Sequence, residues 1–145
     1  FLVYPSGRGT CVSDASSAEY QVLEEPQSPY VEQCYEHRMV PDSEGNVTAA
    51  IINPHRGIGV YQKYAHAELP HHITWRQLGR GTYVVAMEPS TNRDAGRFDA
   101  RKRGELQFLE PGESRSYTIE LGAIEGSTEI DSLIARTTSL AEAGS

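Results

Sequence analysis

Apolar positions in this chain recur mostly at a spacing of two, and Gly, Pro, Asn and Asp break the pattern at short intervals. The clearest case is residues 115–124 (RSYTIELGAI), which puts Tyr117, Ile119, Leu121 and Ala123 on one face and Thr118 and Glu120 on the other. Residues 31–40 (VEQCYEHRMV) also read as a strand, an unusually polar one. Turn residues at 41–46 and a second strand at 47–53 predict that these two segments form a hairpin. Pro54-His55-Arg56-Gly57 turns the chain again, and strands follow at 58–65 and 71–78. Gly79 and Gly81 lead into Thr82-Tyr83-Val84-Val85-Ala86-Met87, a run apolar enough for a central strand covered on both faces. Pro89 should end that strand, and a polar loop follows it. Residues 1–18 read as loop, 19–23 and 105–109 as short strands, and Pro26 and Pro29 enforce an extended connector. The period changes only at 127–140, where Ile130, Leu133, Ile134 and Leu140 have helical spacing behind a Ser127 or Thr128 N-cap. Residues from 141 onward should fray. Seven or eight strands, one terminal helix and no βαβ rhythm predict an all-β sandwich.

Composition narrows the function more than the fold. With 145 residues and 16.0 kDa, the chain is long enough for a single domain with a real core. A net charge of −7 disfavours non-specific nucleic-acid binding, and the basic cluster at 97–103 (RFDARKR) reads as a solvated loop. No apolar run approaches membrane-spanning length, and no export signal is visible, so cytoplasm is the expected compartment. Cys11 and Cys34 allow one bridge at most and are expected as thiols. The chain opens Phe1-Leu2-Val3-Tyr4-Pro5 without an initiator methionine, which suggests a piece of a longer protein.

Five histidines raise the question of metal, but His71 and His72 are adjacent and face opposite ways in a strand, and no H-x-x-x-H or C-x-x-C occurs. Neither G-x-S-x-G nor G-x-G-x-x-G is present, so hydrolase and nucleotide chemistry have no motif. Sugar recognition fits better. A pyranose offers hydroxyls at its rim and C–H groups on its flats, which call for carboxylates and amides beside an aromatic face. Glu32, Gln33, Lys63, Trp75 with Arg76, Glu88 and Asn92 supply that inventory from separate strand ends. Glu88, at the mouth of the 82–87 strand, is expected to be partly desolvated and so poised for proton transfer. The plain alternatives are that Trp75 packs in a sheet face and that Glu88 only ends a strand in water.

Glu32-Gln33-Cys34-Tyr35, the segment from Leu69-Pro70 through Trp75, Tyr83-Val84-Val85-Ala86-Met87-Glu88-Pro89-Ser90-Thr91-Asn92 with Gly96-Arg97, and Leu109-Glu110-Pro111-Gly112-Glu113 together resemble the aldose 1-epimerase (galactose mutarotase-like) superfamily, in its DUF4432 branch. The likeness runs from about residue 29 to 126. It implies the C-terminal part of a large twisted β-sandwich with a sugar cleft on one sheet, acting on a free monosaccharide without metal, nucleotide or other cofactor. It also implies anomer interconversion by ring opening: a glutamate takes the anomeric hydroxyl proton while a histidine protonates the ring oxygen. Glu88 stands where the family has its base, and Glu32, followed by Gln33, stands near its acidic sugar ligand. Trp75 and Asn92 would line the cleft, with Arg97 bracing the loop. The family's acid histidine lies in an upstream H-x-N-like motif that this sequence lacks. His37 or His72 would have to substitute, or the acid lies on a preceding segment. The expected function is thus a mutarotase-like isomerase, with a non-catalytic carbohydrate-binding module as the alternative and a purely structural β-domain as the third. The sequence identifies neither the sugar nor the oligomeric state.

Overall fold

The computed structural model describes residues 1–6 and 20–144 in full and residues 9–11 as backbone. Eight strands in chain order are β1 (Leu2–Val3), β2 (Gly9–Cys11), β3 (Gln33–His37), β4 (Asn46–Asn53), β5 (Ile58–Ala65), β6 (His71–Gly79), β7 (Thr82–Ser90) and β8 (Ile119–Glu125). Two helices, α1 (Gly96–Lys102) and α2 (Ser127–Ala143), complete the described elements. The strands form two antiparallel four-stranded sheets, ordered β1-β4-β5-β8 and β2-β3-β6-β7. They are the two layers of the expected sandwich, and α2 makes a third.

Period two decides which side each residue serves. In β4, Val47 and Ala49 face the other sheet, where they join Leu2, Tyr4, Tyr20, Tyr35, Met39, Tyr64 and Leu69 in the central core. Ala50 and Ile52 alternate to the far side and meet Val3, Ile124, Ile130 and Leu133 beneath α2. The helix therefore exists to cover the back of one sheet. It starts after Gly126 without a side-chain cap, one residue before the Ser127 expected in that role, and it stays helical through Ala143.

Several expectations need correction. Strands β3 and β4 do not form a hairpin: β3 pairs with β2 and β6, β4 with β1 and β5, so residues 38–45 cross between sheets. The hairpins are β4–β5 and β6–β7, the latter turned by Arg80-Gly81, where Gly81 takes a φ of 82° that residues with a Cβ avoid. Strand β7 is an edge, not a central strand, with Tyr83 and Val84 exposed. An edge also explains why Pro89 lies inside β7 without ending it, because an edge position can spare the N–H. The basic cluster forms the short helix α1, the predicted strand at 105–109 is absent, the one at 19–23 is absent over residues 20–23 (residue 19 lies outside the described residues), and the loop-like N-terminus contains β1 and β2. In β8 the faces are as the alternation predicts, but Ile119 and Leu121, on the side of the central core, are exposed along with Ile58 and Val60. Nothing among the described residues covers them.

The central core is polar for its position. His37 Nε2 and Tyr4 Oη both hydrogen-bond Thr74 Oγ1, at 3.0 and 2.9 Å, and Tyr64 Oη meets His72 Nδ1 at 2.9 Å. His37 Nδ1 and His72 Nε2 are buried with no partner among the described residues. Burial pushes His37 down to about 4 and His72 down to about 3, the latter helped by the charge of His37. Unfolded, both would titrate near 6.5. The depressed folded values mean that their contribution to stability is complete above about pH 6.5 and is lost as pH falls toward 4. Urea unfolding is therefore expected to lose on the order of 1 kcal/mol per pH unit per histidine between pH 6.5 and 4.5. His72→Phe should flatten that slope, and an equal slope in the variant would contradict the assignment.

Candidate functional site

The register of three strands builds the site on the outer face of the β2-β3-β6-β7 sheet. Ile73 in β6 stands opposite Glu36 of β3 on one side and Glu88 of β7 on the other. Paired residues share a face, so both carboxylates flank Ile73, roughly 10 Å apart across two strand spacings. Along β6 the same face carries His71 one step before Ile73 and Trp75 one step after it. Trp75 is paired with Cys34 and Ala86, His71 with Ser90. The result is a cross: carboxylates left and right, an imidazole and an indole along the strand.

A loop holds the cross together. After β7 the chain swings back over β6 to reach β3, where Arg93 Nε and Nη2 donate to Glu36 Oε2 at 3.1 and 2.8 Å. The Asp94 backbone N–H donates to Glu36 Oε1 at 2.8 Å, and Cys34 Sγ donates to Asp94 Oδ2 at 2.8 Å. Ile73 lies under this crossing, which is why it is only 8% exposed on a face that otherwise meets water. Partial burial pushes the Glu36 carboxyl up. The hydrogen bonds from Arg93 and Asp94, with the charges of Arg93 and His71, outweigh it and hold the group below the ordinary glutamate value. Beside the clamp opens a cleft of about 600 Å³, whose walls include Glu36, Arg38, His66, His71 and Arg93.

The sequence-derived residues divide between this face and other places. Glu32 reaches it, accepting a hydrogen bond from Trp75 Nε1 at 3.2 Å. Trp75 is half-buried there and Glu88 is exposed, so the partial desolvation expected of Glu88 is not observed. Asn92 lies in the crossing loop, its Nδ2 donating to Thr91 Oγ1 at 3.0 Å, and its Oδ1 is buried without a partner among the described residues. Arg97 is exposed in the first turn of α1 and braces nothing among the described residues. Gln33 points the other way. Its Oε1 accepts from Arg76 Nε at 2.6 Å, Tyr35 Oη at 3.0 Å and Tyr30 Oη at 3.2 Å, ordering the buried Arg76. Lys63 lies on the back of the other sheet, 3.9 Å from Glu44, in a separate groove beside α2. His37 and His72 are in the core, turned away from Glu88.

Glu36, Cys34, His71, Arg93 and Asp94 were not among the sequence candidates. Strict alternation through β3 would have exposed part of the pattern, because it sets Glu32, Cys34 and Glu36 on one face and Gln33, Tyr35 and His37 on the other.

Residues 8–123 match the sequence profile of the domain of unknown function DUF4432. The chain belongs to that family. The fold also matches a crystal structure from Klebsiella pneumoniae subsp. pneumoniae described as a "putative aldose 1-epimerase", with a TM-score of 0.82 at 17% identity. The match covers 97% of this chain and 38% of that one, so this DUF4432 chain spans well under half of the solved protein. At that identity the likeness establishes the aldose 1-epimerase fold, and with it the sandwich and its C-terminal helix. No curated protein matches the sequence. Among the described residues, no helix is long and apolar enough to cross a membrane.

The clamp gives a direct test. Glu36→Gln removes a charge-assisted acceptor whose partner Arg93 is half-exposed, and it should cost about 0.5–1 kcal/mol at pH 7. Because the folded pKa is lowered, that cost should vanish as pH falls below the ordinary glutamate range. Urea titrations of Glu36→Gln, Arg93→Gln and the double variant measure the coupling, and additive effects at pH 7 would remove the clamp.

Proposed function

We propose that the outer face of the β2-β3-β6-β7 sheet is a sugar site, and that Glu88 is the base of an aldose 1-epimerase-type ring opening on a free monosaccharide. The observation that carries this reading is the register that sets Glu88 one strand over and one step along from Trp75. A pyranose stacked on the indole would present its rim to carboxylates on both flanks, Glu88 on β7, Glu36 on β3 and Glu32 just before β3. The orphaned Asn92 Oδ1 supports the same placement. A buried acceptor without a partner costs about 1–3 kcal/mol, and a sugar hydroxyl would relieve it.

In this reading Glu88 takes the proton from the anomeric hydroxyl as the bond between C1 and the ring oxygen breaks. The open aldehyde rotates and recloses on its other face, which returns the proton. Trp75 and the carboxylates hold the carbon chain in place through that rotation. The exposure of Glu88 favours a second reading, a carbohydrate-binding module that uses the same face without chemistry.

Glu88→Gln separates them. NMR exchange spectroscopy on aldoses with the full-length protein should show anomer exchange falling about 10²–10⁴-fold with sugar binding retained. Trp75→Ala should weaken binding itself. Exchange unchanged in Glu88→Gln would eliminate the base, and sugar binding without any exchange in the unmodified protein would favour the binding module.

A further inference from the structure

We infer that the cleft where β3 leaves the sheet and β6 enters it binds a tetrahedral oxyanion, the phosphate or sulfate group of a small ligand, through Arg38, Arg93, His66 and His71. The inference goes beyond the sugar-site reading and does not rest on it, because neither Glu88 nor Trp75 lines this cleft.

Three observations carry it. The first is charge. The whole chain has a net charge of −7, yet the walls of this cleft set two guanidinium groups and two half-buried imidazoles against one acid, Glu36. That acid is already engaged, with both oxygens accepting hydrogen bonds from Arg93 and the Asp94 backbone. The second is donor capacity. The side chains of Arg38, His66 and His71 make no hydrogen bond or ion pair with the described residues. Arg93 commits Nε and Nη2 to Glu36, which leaves Nη1 for a ligand. The same walls include His37 and His72, whose Nδ1 and Nε2 are buried without partners among the described residues. The third is convergence from separate elements. Arg38 directly follows β3, His66 lies in the β5–β6 connection, His71 opens β6 and Arg93 comes from the crossing loop. The charges of His66 and Arg93 both reach His71.

Imidazoles alone would suit a metal ion equally well. Two guanidinium groups in the same walls repel a cation, and no group of three His, Cys, Asp or Glu side chains among the described residues is placed to hold one. Arginine instead matches the paired oxygens of phosphate and sulfate. At about 600 Å³ the cleft is larger than a lone oxyanion needs, so the group can carry an organic remainder.

The imidazoles make the site sensitive to pH. Burial lowers the pKa of His71, as do the charges of Arg93 and His66, while Glu36 and Glu105 oppose them; the net direction is downward. Glu88 faces it from β7, and Arg38 shares the cleft. A bound dianion favours the imidazolium and so raises that pKa. Affinity is therefore greatest below the free-protein value, itself under 6.5, and falls as pH rises through the raised value of the complex. A rise of about one pH unit corresponds to about tenfold in affinity.

Inorganic sulfate keeps its charge from pH 5.5 to 8, so its binding reports the titration of the protein and not its own. Histidine and arginine side-chain NMR of the full-length protein, titrated with sodium sulfate at an ionic strength held constant with chloride, should show saturable shifts of His66 and His71. Affinity should be about tenfold lower at pH 8 than at pH 5.5, and sulfate should move the His71 titration midpoint upward. Arg38→Gln should weaken binding about tenfold, with thermal unfolding unchanged. His66→Gln and His71→Gln should each flatten the pH dependence. Inorganic phosphate and glycerol 3-phosphate separate the sources: equal affinities mean that the free anion is the ligand, and tighter binding of the ester means that the group belongs to a larger molecule. Shifts that are the same in sulfate and chloride would overturn the site. So would sulfate binding left unchanged in both Arg38→Gln and His66→Gln. Neither result touches the roles of Glu88 and Trp75, which lie outside the cleft.

Discussion

Strand register is the constraint on which this structure's chemistry depends. A slip of one residue between β6 and β7 would turn Glu88 inward and bring Met87 or Pro89 to the outer face. The tight Arg80-Gly81 turn sets that register at one end, and at the other the Arg93–Glu36 clamp ties the exit of β7 across to β3. Between them, positions far apart in sequence, Glu36, His71, Trp75 and Glu88, are brought to one surface by the backbone pairing of β3, β6 and β7. Side-chain hydrogen bonds then orient Glu36 and Trp75.

The two faces of this sheet divide their labour. Inward, the alternation supplies Tyr35, His37, His72, Thr74 and Arg76, an aromatic and polar interior in which Gln33 orders Arg76 and hydroxyls pair with imidazoles. Outward, it supplies the acidic and aromatic set. His71 and His72 show the division most plainly, as neighbours in sequence with opposite surroundings: one faces solvent and carboxylates, the other is sealed in the core with a pKa near 3. The inward histidines make the fold sensitive to acid, while the outward one lies half-exposed beside the Glu36–Arg93 clamp.

How much of this was legible in the sequence varied with the range of the interaction. Local alternation identified most of the longer strands and the C-terminal helix, because burial on one side imposes the period directly. Sheet membership was not legible: residues 31–40 and 47–53 look like a hairpin, yet the first pairs with β2 and β6 and the second with β1 and β5, and nothing within the segments records that choice. The apolar run at 82–87 resembled a central strand, although it lies at an edge with one face largely open. Motif resemblance found Glu88, Glu32 and Trp75, which share a face. It also nominated Gln33, and the inventory of sugar-binding side chains added Lys63; parity and sheet assignment send both elsewhere. Glu36 escaped notice because its importance comes from Arg93 and Asp94, 57 and 58 residues away in the chain.

The central claim is that ligand meets this molecule on the outer face of β3, β6 and β7. Mapping amide and indole chemical shifts while a monosaccharide is titrated into the isotope-labelled protein tests it most directly. The account predicts that the Trp75 indole N–H, residues 34–36, 71–73 and 88, and the crossing loop at 91–94 shift together in a saturable way. The groove of Lys63, Glu120 and Arg136 beside α2 should stay silent. Saturable shifts confined to that groove, with Trp75 unmoved, would contradict it.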